Sequence, residues 1–260
     1  MARRTSFLIC LGVGLAFAAC TSGPSSSASS SSEQDDAAVL ERKIEYIEGL
    51  LARRSEAGAV LDDLMSALPE RAWLTEVTYD SGKVQIKGRA PSNNLLADYV
   101  SRLDGSPSLM NLILRSSAMK IVRGRESQEF AIEALARDAG RAPASAATSP
   151  AARLEELEKA LPSRQDTAGM LRELQRLALD AGLQMTKFAP GAEVSGEFTS
   201  ALPVSIEVLG DRNEIGRYLF GFADLPHLWI VERFSLKAVS GDDPRSQVRA
   251  SITAKTHFLR

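Results

Sequence analysis

The stretch that decides the fold class is Trp73-Leu74-Thr75-Glu76-Val77-Thr78-Tyr79-Asp80-Ser81-Gly82-Lys83-Val84-Gln85-Ile86-Lys87-Gly88. Trp73, Val77 and Tyr79 share one face of an extended segment, and Val84 and Ile86 share one face of the next. Period-two alternation of this kind marks half-buried strands. Asp80-Ser81-Gly82 between them is a hairpin signal, because a tight turn needs positive φ and glycine supplies it without strain. Upstream, Pro69 stops a helical pattern. Downstream, Pro91-Ser92 opens a helix with Ser92 as its cap, and Leu96, Tyr99, Val100 and Leu103 follow at helical spacing. Gly105 and Pro107 end it. Met110–Val122 and Gln128–Leu135 read as two more strands, so the order is helix, strand, strand, helix, strand, strand.

The second half repeats that order. Ala151–Ala160 reads as a short helix with Leu154, Leu157 and Leu161 as its stripe. Asp166–Ala181 is helical, with Leu171, Leu174, Leu177 and Ala178 on one face and Gly182 as its cap. Gln184–Phe188 and Glu197–Leu209 read as strands. Asp211 caps a helix carrying Ile215, Tyr218, Leu219 and Phe222, and strands Leu228–Val239 and Gln247–Phe258 close the chain. The same punctuation follows each leading helix: Ala67-Leu68-Pro69-Glu70-Arg71 and Ala160-Leu161-Pro162-Ser163-Arg164. The expected class is α+β. It would hold two ferredoxin-like (αββαββ) domains, each a four-stranded antiparallel sheet with two helices on one face, circularly shifted. The first domain spans 69–136 and the second 151–260, joined by the Ala/Pro/Ser-rich linker 137–150.

Ahead of the first domain, residues 37–68 read as one coiled-coil-like helix. Leu40, Ile44, Ile47 and Leu51, then Gly58, Leu61, Met65 and Leu68, alternate by fours and threes. That spacing is a heptad seam, broken at Arg54. It predicts an interface through Leu40, Ile44, Ile47, Leu51, Leu61 and Met65, with either a helix of another chain or the helix's own domain as partner.

Composition narrows the function. The chain has 260 residues, 44% of them hydrophobic and 25% charged, and a net charge of −2. So even a balance leaves no footprint for nucleic acid, which needs clustered positive charge. The two cysteines, Cys10 and Cys20, both lie near the start, so the folded body has no thiol, disulfide or cysteine-based metal site. His227 follows Pro226 at a turn and His257 falls on the polar face of the last strand; both read as ordinary surface or turn residues. Asp62-Asp63 and Glu155-Glu156 are adjacent on helices and point in different directions, so neither pair can share a proton. No catalytic residue, metal ligand, cofactor or small-molecule substrate is expected.

Arg3 and Arg4 precede a 14-residue apolar run, Phe7–Cys20. It is shorter than the roughly 17–25 residues of a membrane-spanning helix, and reads as a secretory signal over residues 1–19. Residues 20–36 are Ser-rich and read as a flexible tether.

Phe17-Ala18-Ala19-Cys20 resembles a bacterial lipoprotein box, which implies acylation of Cys20 and attachment to a membrane through an N-terminal lipid. Residues 40–135 resemble the periplasmic part of PilN, a type IV pilus assembly protein. The resemblance is carried by Leu68-Pro69, Ala72-Trp73-Leu74-Thr75, the Val84–Gly88 strand, Ala90-Pro91-Ser92-Asn93, Leu103, Ser106 and the strand from Leu109. Residues 153–258 resemble PilO. There it rests on Leu161-Pro162-Ser163, the Met170–Gly182 helix, Phe188-Ala189-Pro190, Leu202-Pro203-Val204 and the Arg217–Leu225 helix. Type II secretion proteins share this architecture.

The resemblance implies a non-catalytic periplasmic scaffold in an inner-membrane alignment complex. Its partners would be PilN-, PilO- and PilP-like proteins and a secretin, with a homodimer also possible. In those families two such chains pair through helical stalks and ferredoxin-like domains; here both kinds stand on one polypeptide. The Asn-Leu-Leu-Pro type segment with which PilN docks the cytoplasmic PilM protein has no counterpart before Phe7, which implies no direct contact with the cytoplasmic motor. Thr21 after Cys20 does not favour inner-membrane retention. The alternative is therefore an outer-membrane or surface lipoprotein that reuses these domains for another envelope interaction.

Overall fold

Ser81 and Gly82 close the first hairpin with φ of +50° and +87°, the doubly positive backbone of a type I′ turn. The computed structural model describes residues 29–122, 124–137, 149–159, 161, 167–239 and 247–259. The chain divides into two compact units, Met1–Ala38 and Val39–Arg260. Of the first, only residues 29–38 are described, and they are helical, so the expected flexible tether 20–36 is corrected from Ser29 on, where α1 has already begun. The signal peptide, Cys20, tether residues 21–28, linker residues 138–148, Pro162 and the turn at 240–246 lie outside the described residues.

The elements run α1 (Ser29–Ala52), α2 (Glu56–Ser66), β1 (Trp73–Asp80), β2 (Lys83–Ala90), α3 (Asn93–Asp104), β3 (Leu109–Val122) and β4 (Arg125–Ala136). The second half follows as α4 (Pro150–Lys159), α5 (Thr167–Asp180), β5 (Gln184–Pro190), β6 (Val194–Ser195), β7 (Thr199–Gly210), α6 (Arg212–Gly221), a 3-10 turn Phe222–Asp224, β8 (Trp229–Ala238) and β9 (Val248–Leu259). The caps form as the sequence expects. Ser92 Oγ accepts from the Leu95 N–H. Asp211 and Glu214 make a reciprocal capping box, which satisfies two otherwise orphaned donors.

The strands form one sheet rather than two. Its order is β3-β4-β2-β1-β8-β9-β7-β5, with β6 paired to β7. Each half contributes four strands in the same relative order, and the halves meet where β1 pairs antiparallel with β8 over Glu76–Asp80 and Arg233–Lys237. The repeat extends to irregularities. A bulge falls at Thr75 in β1 and at Thr186 in β5, each between its strand and the next one inward. Another falls at Arg115 in β3 and at Glu232 in β8. Bulges re-aim a strand and persist as built features, so their matching positions align the halves residue by residue.

One face of the sheet is apolar. Val77, Tyr79, Val84, Ile86, Phe130 and Ile132 in the first half join Val204, Ile206, Phe234, Ala250 and Ile252 in the second in a single core. It is covered by α2, α3, α5 and α6 through Leu61, Leu64, Tyr99, Leu174, Tyr218 and Leu219. The helices of the two halves meet where α2 crosses α6. A Cβ on Gly58 would lie 3.2 Å from the Phe220 Cα and 3.3 Å from the Leu219 carbonyl oxygen, so a larger residue would push the two backbones a few tenths of an ångström apart. The other face is a lattice of charge, including Glu76 between Lys87 and Lys237, both within 3.1 Å, and Asp80 with Arg233 at 3.1 Å.

Two further expectations are corrected here. The single helix 37–68 is two helices, broken between Ala52 and Glu56 where Arg54 interrupts the apolar seam. Its first part does not wait for another chain: Ile47 and Leu50 pack with Leu161, Leu228 and Ile230, flanked by Leu51, Leu154 and Leu157. Ile230 points away from the main core because its neighbours Trp229 and Val231 point into it. A second, smaller core thus forms on the far face of β8. α4 runs antiparallel to α1 across it, with Lys43 paired to Glu158 at 2.5 Å and Glu48 to Arg153.

The second correction concerns His257, which is buried rather than on an open polar face. The last strand is covered on both sides at this end, and His257 Nδ1 lies 3.3 Å from Thr199 Oγ1, which also meets the Tyr46 hydroxyl of α1 at 3.2 Å. Burial, with Lys255 and Arg53 adding to it and Glu232 opposing, pulls the imidazole down to about 4. The neutral ring is therefore the folded form. The unfolded chain binds a proton that the native state refuses between about pH 6.5 and 4, so stability is full above that window and falls as pH drops through it. We expect His257→Gln to remove up to about 3 kcal/mol of that acid loss. Urea unfolding at pH 7.5 and 4.5 checks it; equal pH slopes in both proteins would refute it.

Candidate functional site

Among the described residues no strand covers the outer side of β3 or of β5, so the site question is which edge or groove is built to take a partner. β3 is long and carries apolar side chains on both faces. Beyond its buried first residue, Met110, Ile113, Leu114, Met119 and Ile121 are exposed, the last two at 66% and 75%. Such an edge is a docking template or an aggregation hazard. The first part of β3 is interrupted at Asn111, with φ +55°, and at the Arg115 bulge. From Ser116 to Val122 the pairing with β4 is regular. Val122 and Arg125 face each other across two intervening residues. In a two-residue hairpin that flanking pair is the hydrogen-bonded one, so Ser117, Met119 and Ile121 turn their backbone N–H and C=O groups outward.

The edge also carries two cations, each paired with a carboxylate of β4. Lys120 pairs with Glu129, which Arg89 also meets at 3.6 Å, and Arg115 pairs with Glu133 at 2.7 Å. The hydrogen bond from Lys120 holds the Glu129 carboxyl below its ordinary range, with burial opposing it. β5 is different. It has 7 residues against the 14 of β3, a bulge and a terminal Pro190. These are devices that blunt an edge.

A groove of about 500 Å³ lies between α2 and α6, lined among others by Asp62, Met65, Arg212, Arg217, Phe220 and Asp224. Its arginines are engaged with the fold: Arg212 donates to the Leu74 carbonyl at 2.8 Å and Arg217 to the Ala181 carbonyl at 3.2 Å. Nothing in it pairs a nucleophile with a base, so it reads as the gap left by two crossing helices. No cluster of three or more metal-ligating side chains occurs among the described residues, and no described helix is long and apolar enough to cross a membrane.

The sequence-expected seam is thus divided. Ile44, Ile47 and Leu61 are buried within the chain, while Leu40, Leu51 and Met65 are half-buried. The seam positions do not come together as one surface: Ile47 belongs to the smaller core and Leu61 to the main one. His227 is a turn residue, with Nδ1 2.8 Å from Glu173. What the sequence reading missed is the β3 edge. The signal is present in Leu109-Met110-Asn111-Leu112-Ile113-Leu114, where apolar residues do not alternate and so cannot all face one core.

Comparison with known proteins fits the two halves separately. Residues 59–135 match the family model described as fimbrial assembly protein PilN. Residues 166–260 match the model of the type IVa pilus alignment subcomplex PilO C-terminal domain. A type IV pilus inner membrane component PilO of Pseudomonas aeruginosa is 31% identical over 101 residues, 39% of this chain and 48% of the relative. The chain thus spans about half the length of that curated relative. A crystal structure of the fimbrial biogenesis protein PilO from the same organism aligns with 28% identity and a TM-score of 0.36, covering 43% of this chain and 87% of that one. The core region of the same protein aligns with 29% identity and a TM-score of 0.32, covering 35% and 91%. With a regular strand order repeated in each half and a distinct family model matched to each, the chain carries a PilN-type and a PilO-type domain in tandem.

Proposed function

We propose that this protein is a non-catalytic periplasmic scaffold of a type IV pilus alignment complex, held to a membrane by acylation of Cys20. The observation that carries the reading is the tandem order of the PilN and PilO matches on one chain. The circularly shifted ferredoxin-like character of each domain, over 69–136 and 151–260, is part of the proposal. It is supported by the strand order, β3-β4-β2-β1 in one half and β8-β9-β7-β5 in the other. Covalent linkage raises the effective concentration of one domain at the other to the millimolar range, and the shared sheet at β1 and β8 uses it. The mechanism is positional: a lipid and a Ser-rich tether set the distance to the membrane, and sheet edges and helix faces hold partners. No described group combines a nucleophile, base and cavity, which favours scaffolding over chemistry.

The test has two readouts. Affinity capture of the tagged chain from gently solubilised membranes is expected to recover pilus alignment proteins of the same cell, and Cys20→Ser is expected to move the protein from the membrane to the soluble periplasmic fraction. Two lipid chains anchor stably where none gives no attachment. Recovery of outer-membrane proteins alone, with no pilus component, would sink the reading.

A further inference from the structure

We propose that the Ser116–Val122 edge of β3 takes an extended, acidic strand from a different protein, added antiparallel, and that it rejects head-to-tail addition of β5 from a second copy of this chain. The inference names a partner chemistry for the scaffold reading above and rests on it.

The template is inside the molecule. Aligned on their bulges, β8 and β3 are equivalent: Glu232 matches Arg115, and five residues on, Lys237 matches Lys120. β8 has its outer edge filled by β1, which sets Glu76 opposite Lys237 and Asp80 opposite Arg233, with carboxylate–cation distances of 3.1 Å at both. Val77 lies opposite Leu236 and Tyr79 opposite Phe234. The strand that fits this edge is therefore one with a carboxylate opposite the lysine and a hydrophobic residue beside it. β3 offers the same lysine, flanked by exposed Met119 and Ile121. Lys120 has one carboxylate partner in Glu129, and an ammonium carries three donors, so it can take a second carboxylate as Lys237 takes Glu76.

The same alignment shows why the occupant is not the β5 edge of a second copy. The strand equivalent to β1 is β5, and head-to-tail addition would bring β5 of one copy onto β3 of the next. Counting from the bulges at Thr75 and Thr186, Lys187 stands where β1 has Glu76 and Pro190 where β1 has Tyr79. Lys187 would face Lys120, and like charges directly opposite each other destabilise a sheet. Pro190 would present no N–H at a position that in β1 points toward β8, as the Ser81 N–H two residues on does in reaching the Glu232 carbonyl. The outer edge that could polymerise the chain is thus disabled on both counts, while β3 is left open.

The experiment uses the full chain in detergent and a capped peptide of the β1 sequence Trp73–Asp80, alongside a version with lysine at the Glu76 position. Fluorescence anisotropy is expected to show saturable binding of the first peptide, about three- to tenfold weaker for the lysine version. Met119→Pro, which removes an outward N–H without touching the β4 ladder, is expected to abolish binding while the melting curve is unchanged. Should that variant melt early, Lys120→Gln carries the test: it is expected to erase the difference between the peptides. Absence of binding, equal binding of both peptides to the native chain, or unchanged binding by a folded Met119→Pro chain would overturn the proposal. So would head-to-tail oligomers of the full chain in sedimentation. These outcomes are independent of pilus assembly: a failed peptide assay beside successful recovery of alignment proteins would remove the edge proposal and leave the scaffold reading standing.

Discussion

Phe234→Ala is expected to lower the unfolding free energy by about 3–5 kcal/mol and to split one unfolding transition into two. Phe234 is fully buried and stacks on Tyr79 at 5.3 Å and 10°. The two rings sit opposite each other where β1 meets β8, so they join the halves as well as filling the core. A stacked pair adds about 0.5–1.5 kcal/mol beyond the area it buries. Tyr79 is further fixed by donating to Glu56 at 3.0 Å; burial and the adjacent Glu56 charge push its phenol well above its ordinary range. Removing Phe234 leaves a cavity at the junction but spares the packing within each half, such as Tyr99 against Phe130 at 5.9 Å. Phe130→Ala is the control: a comparable loss, with no splitting, because that ring serves one half. Calorimetry with hydrogen exchange on β1 and β8 amides reads both. A single transition with a loss below about 1 kcal/mol would show that the aromatic pair does not couple the halves.

Ile47→Asp is expected to release residues 39–52 of α1 while the main core keeps its melting temperature. Ile47 is fully buried against Leu50, Leu161, Leu228 and Ile230, a cluster separate from the main core. A carboxylate there enters an apolar cluster whose flanking cations, Lys43 and Arg153, are already paired with Glu158 and Glu48, and a buried, poorly paired charge costs more than the small cluster returns. The ion pairs that flank it, Lys43 with Glu158 and Glu48 with Arg153, are partly exposed and hold only a few tenths to about 1 kcal/mol each. They cannot keep the helix docked alone. Local unfolding then proceeds without global loss. Tryptic cleavage at Arg53 and Arg54 is expected to accelerate more than tenfold, with Ile47→Val close to wild type. Unchanged cleavage in Ile47→Asp would show that α1 is held by something other than this apolar contact.

Some of the candidate surface was legible in the residues and some was not. The lysine at position 120 and the apolar residues around it are visible in the sequence, but their meaning depends on which strand becomes an edge. Strand order is a property of how distant segments pair, and hairpin signals report only neighbours. The seam shows the same limit from the other side. Its heptad spacing truly marks a buried helix face, yet spacing says nothing about who buries it. The partner, α4, lies about a hundred residues along the chain, and contacts of that separation leave no local trace. His257 was misplaced for a related reason: alternation assigned it to the polar face, and the helix covering that face at the end of β9 arrives from the opposite end of the chain.

What the sequence by itself determined is the set of local elements and their repeat. Glycine at Gly82, serine at Ser92 and aspartate at Asp211 set turns and caps because each acts on its own backbone within three residues. The period-two and helical patterns then set which face of each element turns apolar. Tertiary structure alone decided that the two sets of strands share one sheet, that the first helix folds back onto the second half, and that β3 rather than β5 is left as an open edge. Those outcomes rest on Val77 meeting Leu236, Tyr79 meeting Phe234 and Glu76 meeting Lys237. They are pairings whose free energy appears only when residues about 160 apart in sequence are brought to one place, and no window along the chain contains both partners.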